Sequence, residues 1–206
     1  MILILDFDGV LFDGEKFKED YLRIFSDAGI ASDDVRIAYR AGRAHPKGYH
    51  HVLTARTASH INAKELARRI QALLDTSPRY LYPDTKKFLQ WCVRAGIILA
   101  IVSRGPAFQK KKIAASGITR SFKKITVIPK GPKSEAVHAI MRVHPRHHAT
   151  FVDDTAEVVD EVKQSLPTLT AVQMTRRRRI QRSAVVDARV ADFAGVMRII
   201  RKTLYN

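Results

Sequence analysis

Apolar positions follow two rhythms along this chain. Unbroken apolar runs at Ile2–Leu5, Ile97–Val102, Ile125–Ile128, Thr150–Val152 and Leu169–Val172 have the length and β-branched content of strands buried on both faces. Between the later runs, Tyr82–Ala95, Ala107–Ser116, Ser134–Val143 and Ala156–Ser165 carry helical spacing. Each stops at a residue suited to ending a helix: Gly96, Gly117, Pro145 or Pro167. Strands that alternate with helices predict βαβ units, and so an α/β fold with a Rossmann-like three-layer core around a central parallel sheet.

The interval from Phe12 to about Arg79 breaks this rhythm. It holds no strand pattern, but Phe17, Tyr21, Leu22 and Phe25 share one helical face, and Leu66, Ile70, Leu73 and Leu74 share another. Residues 13–80 therefore read as a small α-helical cap domain inserted after the first strand, with residues 1–12 and 81–206 forming the core. Such an insertion is expected to lie over whatever the first strand delivers at its carboxyl end.

That end carries Asp6-Phe7-Asp8-Gly9. In open α/β sheets, ligands bind at the carboxyl ends of strands. Two carboxylates one residue apart repel unless a cation or a shared proton intervenes, so the pattern asks for a metal or an acid/base pair. Gly9 lets the backbone turn and leaves room for a close approach.

Composition narrows the partners. The 206 residues are 46% hydrophobic, enough for one full core and a small accessory domain. Lysine and arginine total 36 against 20 acidic residues, a formal charge of +16 that attracts nucleic acid, acidic membrane surfaces or phosphorylated metabolites. Cys92 is the single cysteine, which excludes a disulfide within the chain and a four-cysteine zinc site. With no basic-then-apolar leader pattern and no long apolar run, a cytoplasmic location without membrane association is expected, and nothing calls for an obligate protein partner.

Three more motifs fall at predicted strand ends. Ile101-Val102-Ser103-Arg104-Gly105 delivers a hydroxyl and then turns. Pro129-Lys130-Gly131-Pro132-Lys133-Ser134 presents lysines before a helix, with Ser134 as the expected N-cap. Phe151-Val152-Asp153-Asp154-Thr155 ends in a second acidic pair. One aspartate at a strand end is usually a turn or cap residue, but Asp6, Asp8, Asp153 and Asp154 together would be uncompensated charge.

In this order the motifs resemble those of the haloacid dehalogenase superfamily, and the likeness covers nearly the whole chain. Leu81-Tyr82-Pro83-Asp84-Thr85 and Ser116-Gly117-Ile118-Thr119-Arg120-Ser121-Phe122 look like its connecting segments. The resemblance implies a phosphohydrolase in which Asp6 is the nucleophile that forms an aspartyl-phosphate and Asp8 the general acid, then base. Ser103 and Arg104 would meet phosphate, as would Lys133, with Lys130 as the alternative lysine, and the helix beginning near Ser134 would add its positive end. Mg2+ would be held by Asp6, by the backbone carbonyl of Asp8 and by the last motif, with Asp154 as direct ligand and Asp153 orienting metal-bound water. Family dehalogenases lack an aspartate two residues after the nucleophile, so Asp8 favours phosphoryl transfer to or from a small phosphorylated metabolite.

Two other readings stay open. One is an end-processing phosphatase or binding protein directed to nucleic acid, motivated by the charge and by Thr175–Arg182 with its arginine run. The other is a sugar phosphomutase using the same aspartates. A phosphonate hydrolase would need a Schiff-base lysine, and neither Lys47 nor Lys64 has a supporting context. His50-His51 and His144-Pro145-Arg146-His147-His148 lack zinc-site spacing and read as surface loop or cap residues. Lys110–Lys112 read as ordinary exposed lysines, and Arg40, Arg43, His45, Lys47, His50 and Arg56 form the pool for substrate recognition.

Overall fold

A computed structural model describes residues 1–45, 48–57, 60–176 and 181–205. They form two compact units: residues 1–13, 81–105 and 118–206, and residues 14–80 and 106–117.

The first unit is built on β1 (Ile2–Leu5), β2 (Ile98–Arg104), β3 (Lys124–Ile128), β4 (Ala149–Asp153), β5 (Thr170–Met174) and β6 (Ala188–Val190). They pair in parallel in the order β3-β2-β1-β4-β5-β6. Alternate strand residues serve opposite faces. Ile2, Ile4, Ala100, Val102, Phe151 and Ala171 join one core cluster with Val137 and Ile140 of α7 (Ser134–Val143) and Val158, Val159 and Val162 of α8 (Ala156–Ser165). The intervening Leu3, Leu5, Leu99, Ile101, Val152 and Val172 are equally buried. The other helical layer holds α5 (Thr85–Arg94) and α9 (Phe193–Tyr205), joined by Phe88 and Phe193, whose rings stack 4.0 Å apart. This is the three-layer Rossmann-like arrangement that the apolar rhythm predicts.

Differences from the pattern have local causes. The helix expected over Tyr82–Ala95 starts at Thr85, because Tyr82 N–H bonds the Leu11 carbonyl and Leu81 bridges Phe12 in antiparallel fashion. That bridge brings the two ends of the long insertion together. β6 has no apolar run, only Ala-Arg-Val, and α9 follows a tract read for its charge alone; no expectation covered either. Arg177–Ile180 of that tract and Lys47 lie outside the described residues.

The second unit contains α1 (Gly14–Ser26), α2 (Ser32–Ala44), α3 (Gly48–Thr57), α4 (Ala63–Asp75), a 3-10 turn at Ser77–Tyr80 and α6 (Ala107–Ala115). Its α6, assigned to the core by sequence, clusters here because Phe108 packs among Phe17, Tyr21 and His50, with ring centroids 6.3, 5.2 and 5.0 Å away. His50 is therefore half-buried rather than a surface residue, and its Nδ1 lies 2.7 Å from the Tyr21 hydroxyl. Burial, aided by Lys111 and His51, lowers its pKa and so favours the neutral imidazole. Lys112, expected to be exposed, is buried, its ammonium 5.5 Å from the Phe17 ring centre.

Candidate active site

The sheet changes winding direction between β1 and β4, the place where open α/β sheets leave a crevice. Leu5 pairs with Val152, so the next residues, Asp6 and Asp153, leave neighbouring strands side by side. The Asp6 amide donates to the Val152 carbonyl at 2.9 Å and fixes that juxtaposition. Beyond it the chain makes a tight loop: Leu11 and Phe12 amides both donate to the Phe7 carbonyl at 3.0 Å, and Gly9 N–H donates to Phe12 at 2.8 Å. Asp8 sits half-buried on this loop.

Lys133 unites the first and last motifs. Its ammonium lies 2.8 Å from Asp6 Oδ1 and 2.8 Å from Asp153 Oδ2, and all three side chains are buried. Burial alone would lower the Lys133 pKa, but Asp153 and Asp6 outweigh it and raise the pKa, keeping the ammonium charged. For Asp6 burial wins: Lys133 pulls the carboxyl down, Asp153 pushes it up, and the net is a pKa raised to about 7. Lys130 is exposed on the preceding turn, so of the two candidate lysines Lys133 is the one in contact with Asp6.

The start of α7 differs from expectation. Ser134 is the first helical residue and Lys133 takes the cap position without a side-chain cap. The exposed N–H groups of that turn are met by Glu161 of α8, whose carboxylate accepts from Lys133 N–H at 3.0 Å and Ser134 N–H at 3.1 Å. A protein carboxylate thus uses the positive end that had been expected to face phosphate. What α7 contributes is the Lys133 side chain, held by its own backbone.

Asp153 and Asp154 are placed differently. Asp153 is fully buried and has both oxygens engaged, Oδ2 by Lys133 and Oδ1 by Thr155 N–H at 2.9 Å. Asp154 is half-buried and lies against Gly9. A Cβ on Gly9 would fall 2.0 Å from Asp154 Oδ2, and Gly9 has a φ of +76°, so the position requires glycine twice over. The close approach that Gly9 permits is that of a carboxylate.

Oxygen atoms of Asp6, Asp153 and Asp154 lie within 4.8 Å of one another. Asp6 Oδ1 is buried with only an ion-pair contact to Lys133, outside hydrogen-bond alignment. Three converging carboxylates against one ammonium, with a buried oxygen lacking a hydrogen bond, suit a hard divalent cation. Ser103 is buried near the carboxyl end of β2, whereas Arg104, the last β2 residue, is exposed.

One contributor carries no signal in sequence beyond its place in a basic tract. Arg176, just after β5, donates from Nε to the Val10 carbonyl at 3.1 Å and from Nη2 to both Asp84 oxygens at 2.9 and 3.1 Å. Its guanidinium also lies over the rings of Tyr82 and Phe193, at 4.2 and 4.8 Å. It ties the Asp8 loop to the heads of α5 and α9. Only the fold separates this arginine from its neighbours in sequence.

The family model for haloacid dehalogenase-like hydrolases matches residues 1–163. No curated protein sequence matches the chain. Among solved structures it is similar to a Burkholderia xenovorans LB400 protein assigned as a haloacid dehalogenase-like hydrolase, with 20% identity and a TM-score of 0.79 over 100% of this chain and 98% of that one. A HAD phosphatase from Thermococcus onnurineus shows 21% identity and a TM-score of 0.70 over 97% of each chain. The L-2-haloacid dehalogenase RSc1362 shows 14% identity and a TM-score of 0.66 over 97% of this chain and 98% of its own. At these identities the likeness concerns the fold, which phosphatase and dehalogenase share. Through the family match, which spans most of its length, the chain belongs to the haloacid dehalogenase-like hydrolases.

Proposed function

We propose that the protein is a Mg2+-dependent phosphohydrolase that cleaves a phosphomonoester of a small metabolite. The observation that carries this is the contact of Lys133 with Asp6 and Asp153, beside a chain that places Asp8 two residues after the nucleophile position. A dehalogenase has no alkoxide to protonate, so a carboxyl at position 8 favours phosphoryl transfer.

Asp6 attacks phosphorus and the bond to the leaving alkoxide breaks, while Asp8 gives that oxygen its proton. Water then attacks the aspartyl-phosphate, Asp8 takes its proton, and inorganic phosphate and free Asp6 result. Lys133 holds Asp6 in position and offsets phosphate charge, and the buried Ser103 hydroxyl is suited to a phosphate oxygen. Asp6, Asp154 and the Asp8 carbonyl would hold Mg2+, with Asp153 behind them as the anchor of Lys133. When bound, Mg2+ supplies positive charge that favours ionised Asp6 and offsets the charge of the transferring group.

The test is phosphate release from a panel of phosphomonoesters with Mg2+. Activity is expected to vanish in Asp6→Asn. In Asp8→Asn it should fall roughly 10²–10⁴-fold for alkyl phosphates and much less for p-nitrophenyl phosphate, whose leaving group needs little protonation. No turnover of any ester, or chloride release from a 2-chloroacid instead, would overturn the reading.

A further inference from the structure

The two helical layers on the central sheet carry opposite charge. The layer of α7 and α8 has the carboxylates Glu135, Glu157, Asp160 and Glu161 against the cations Arg142 and Lys163. The layer of α5 and α9 has no carboxylate in either helix, and Lys86, Lys87, Arg94, Arg198, Arg201 and Lys202 are all exposed.

The cationic strip is also continuous. α5 packs against α9, and on its other flank against the Thr119–Ser121 turn, where Arg120 is exposed; Lys123 and Lys124 follow at the start of β3, also without an acidic neighbour in sequence. The carboxylates at the strip's end are committed, Asp84 to Arg176 and to Phe193 N–H, and Asp192 to Gly195 N–H. None of these cations faces a carboxylate among the described ion pairs. On α9 Arg201 and Lys202 follow Arg198 by three and four residues, one turn on, and on α5 Lys87 and Arg94 are seven residues apart, two turns, so each pair shares a face of its helix. Two adjacent rows on helices about 10 Å apart make a broad positive plane.

We propose that this α5/α9 face binds the phosphate backbone of double-stranded nucleic acid. Duplex phosphates present a dense line of negative charge to such a plane, and their neutralisation releases counterions. An anionic bilayer fits less well, because the large apolar side chain exposed on these two helices is Val93 alone among those described. Single strands fit less well too: Trp91 is half-buried with Arg201 over its ring at 5.7 Å, so the face offers charge rather than a row of rings for bases to stack on. The surface is distinct from the Asp6–Lys133 cluster and does not depend on the phosphatase reading. It also differs from the arginine tract, whose first member is used internally by Asp84.

The test is fluorescence anisotropy of a labelled mixed-sequence duplex of about 20 bp, titrated between about 50 and 200 mM salt. The 206-residue protein should bind with a steep salt dependence. Replacing Lys87, Arg94, Arg198 and Lys202 by Gln should weaken binding at low salt at least about tenfold and flatten the log–log salt slope by about 3. Turnover of the small phosphomonoester should stay unchanged. An equal loss of charge elsewhere, Arg36, Lys64, Arg142 and Arg146 to Gln, should leave affinity within about twofold. No binding by the wild-type protein, equal weakening by both sets, or binding to phosphatidylserine vesicles in place of the duplex would each overturn the proposal.

Discussion

At Lys133 one ammonium serves two buried carboxylates, and that ratio makes the residue structural as well as chemical. Lys133→Met leaves two buried carboxyl groups without their shared cation, which should cost about 3–5 kcal/mol in urea melts, beyond any loss of activity. Asp6 gives a second, opposite signature. Its carboxyl titrates at about 7 when folded against 3.8 ordinarily, so between these values the folded chain holds a proton that the unfolded chain has lost. Stability is therefore highest from this group below about pH 4 and falls as pH rises through 7. Melts in EDTA should show this decline, Asp6→Asn should flatten it, and Mg2+ should restore stability most strongly at the upper end. At Gly9 alanine would face both a left-handed backbone and Asp154 Oδ2 at 2.0 Å. Gly9→Ala should displace Asp154 and weaken Mg2+ protection in a thermal melt more than it lowers the metal-free melting temperature.

Elements bring these residues into register, and here legibility differed. β1 and β4 announced themselves as apolar runs ending in acid, so Asp6, Asp8, Asp153 and Asp154 could be singled out without a fold. Asp6 and Asp153 then meet because Leu5 pairs with Val152, a register that follows from sheet order rather than from any local pattern. Glu161 looks like any exposed helical glutamate in sequence; its role at the head of α7 exists only because α8 packs there. Glu161→Gln weakens both N–H contacts and should cost about 1 kcal/mol while loosening Lys133, seen as a lower kcat with little change in KM. Arg176 had the same difficulty. A lysine there keeps the charge but loses the fork that reaches Val10 and Asp84 together, so Arg176→Lys should also reduce kcat more than it raises KM.

For the whole molecule, the α/β rhythm sufficed to foresee a parallel sheet between two helical layers, because strands buried on both faces must be apolar throughout. It did not foresee which helices belong to which compact unit. Sequence order assigns α6 to the sheet, whereas side-chain packing assigns Phe108 to the aromatic rings of α1 and α3. The antiparallel bridge of Phe12 and Leu81 makes the long insertion look like a cassette with closed ends, removable at a single junction. The shared helix forbids this. A chimera that exchanges residues 14–80 with those of a relative, but keeps residues 106–117, leaves Phe108 beside foreign partners and should aggregate or melt early; one that moves both segments together should not. For this chain the unit of accessory structure is a pair of segments some 25 residues of core apart, so a redesign of it has to change both in step.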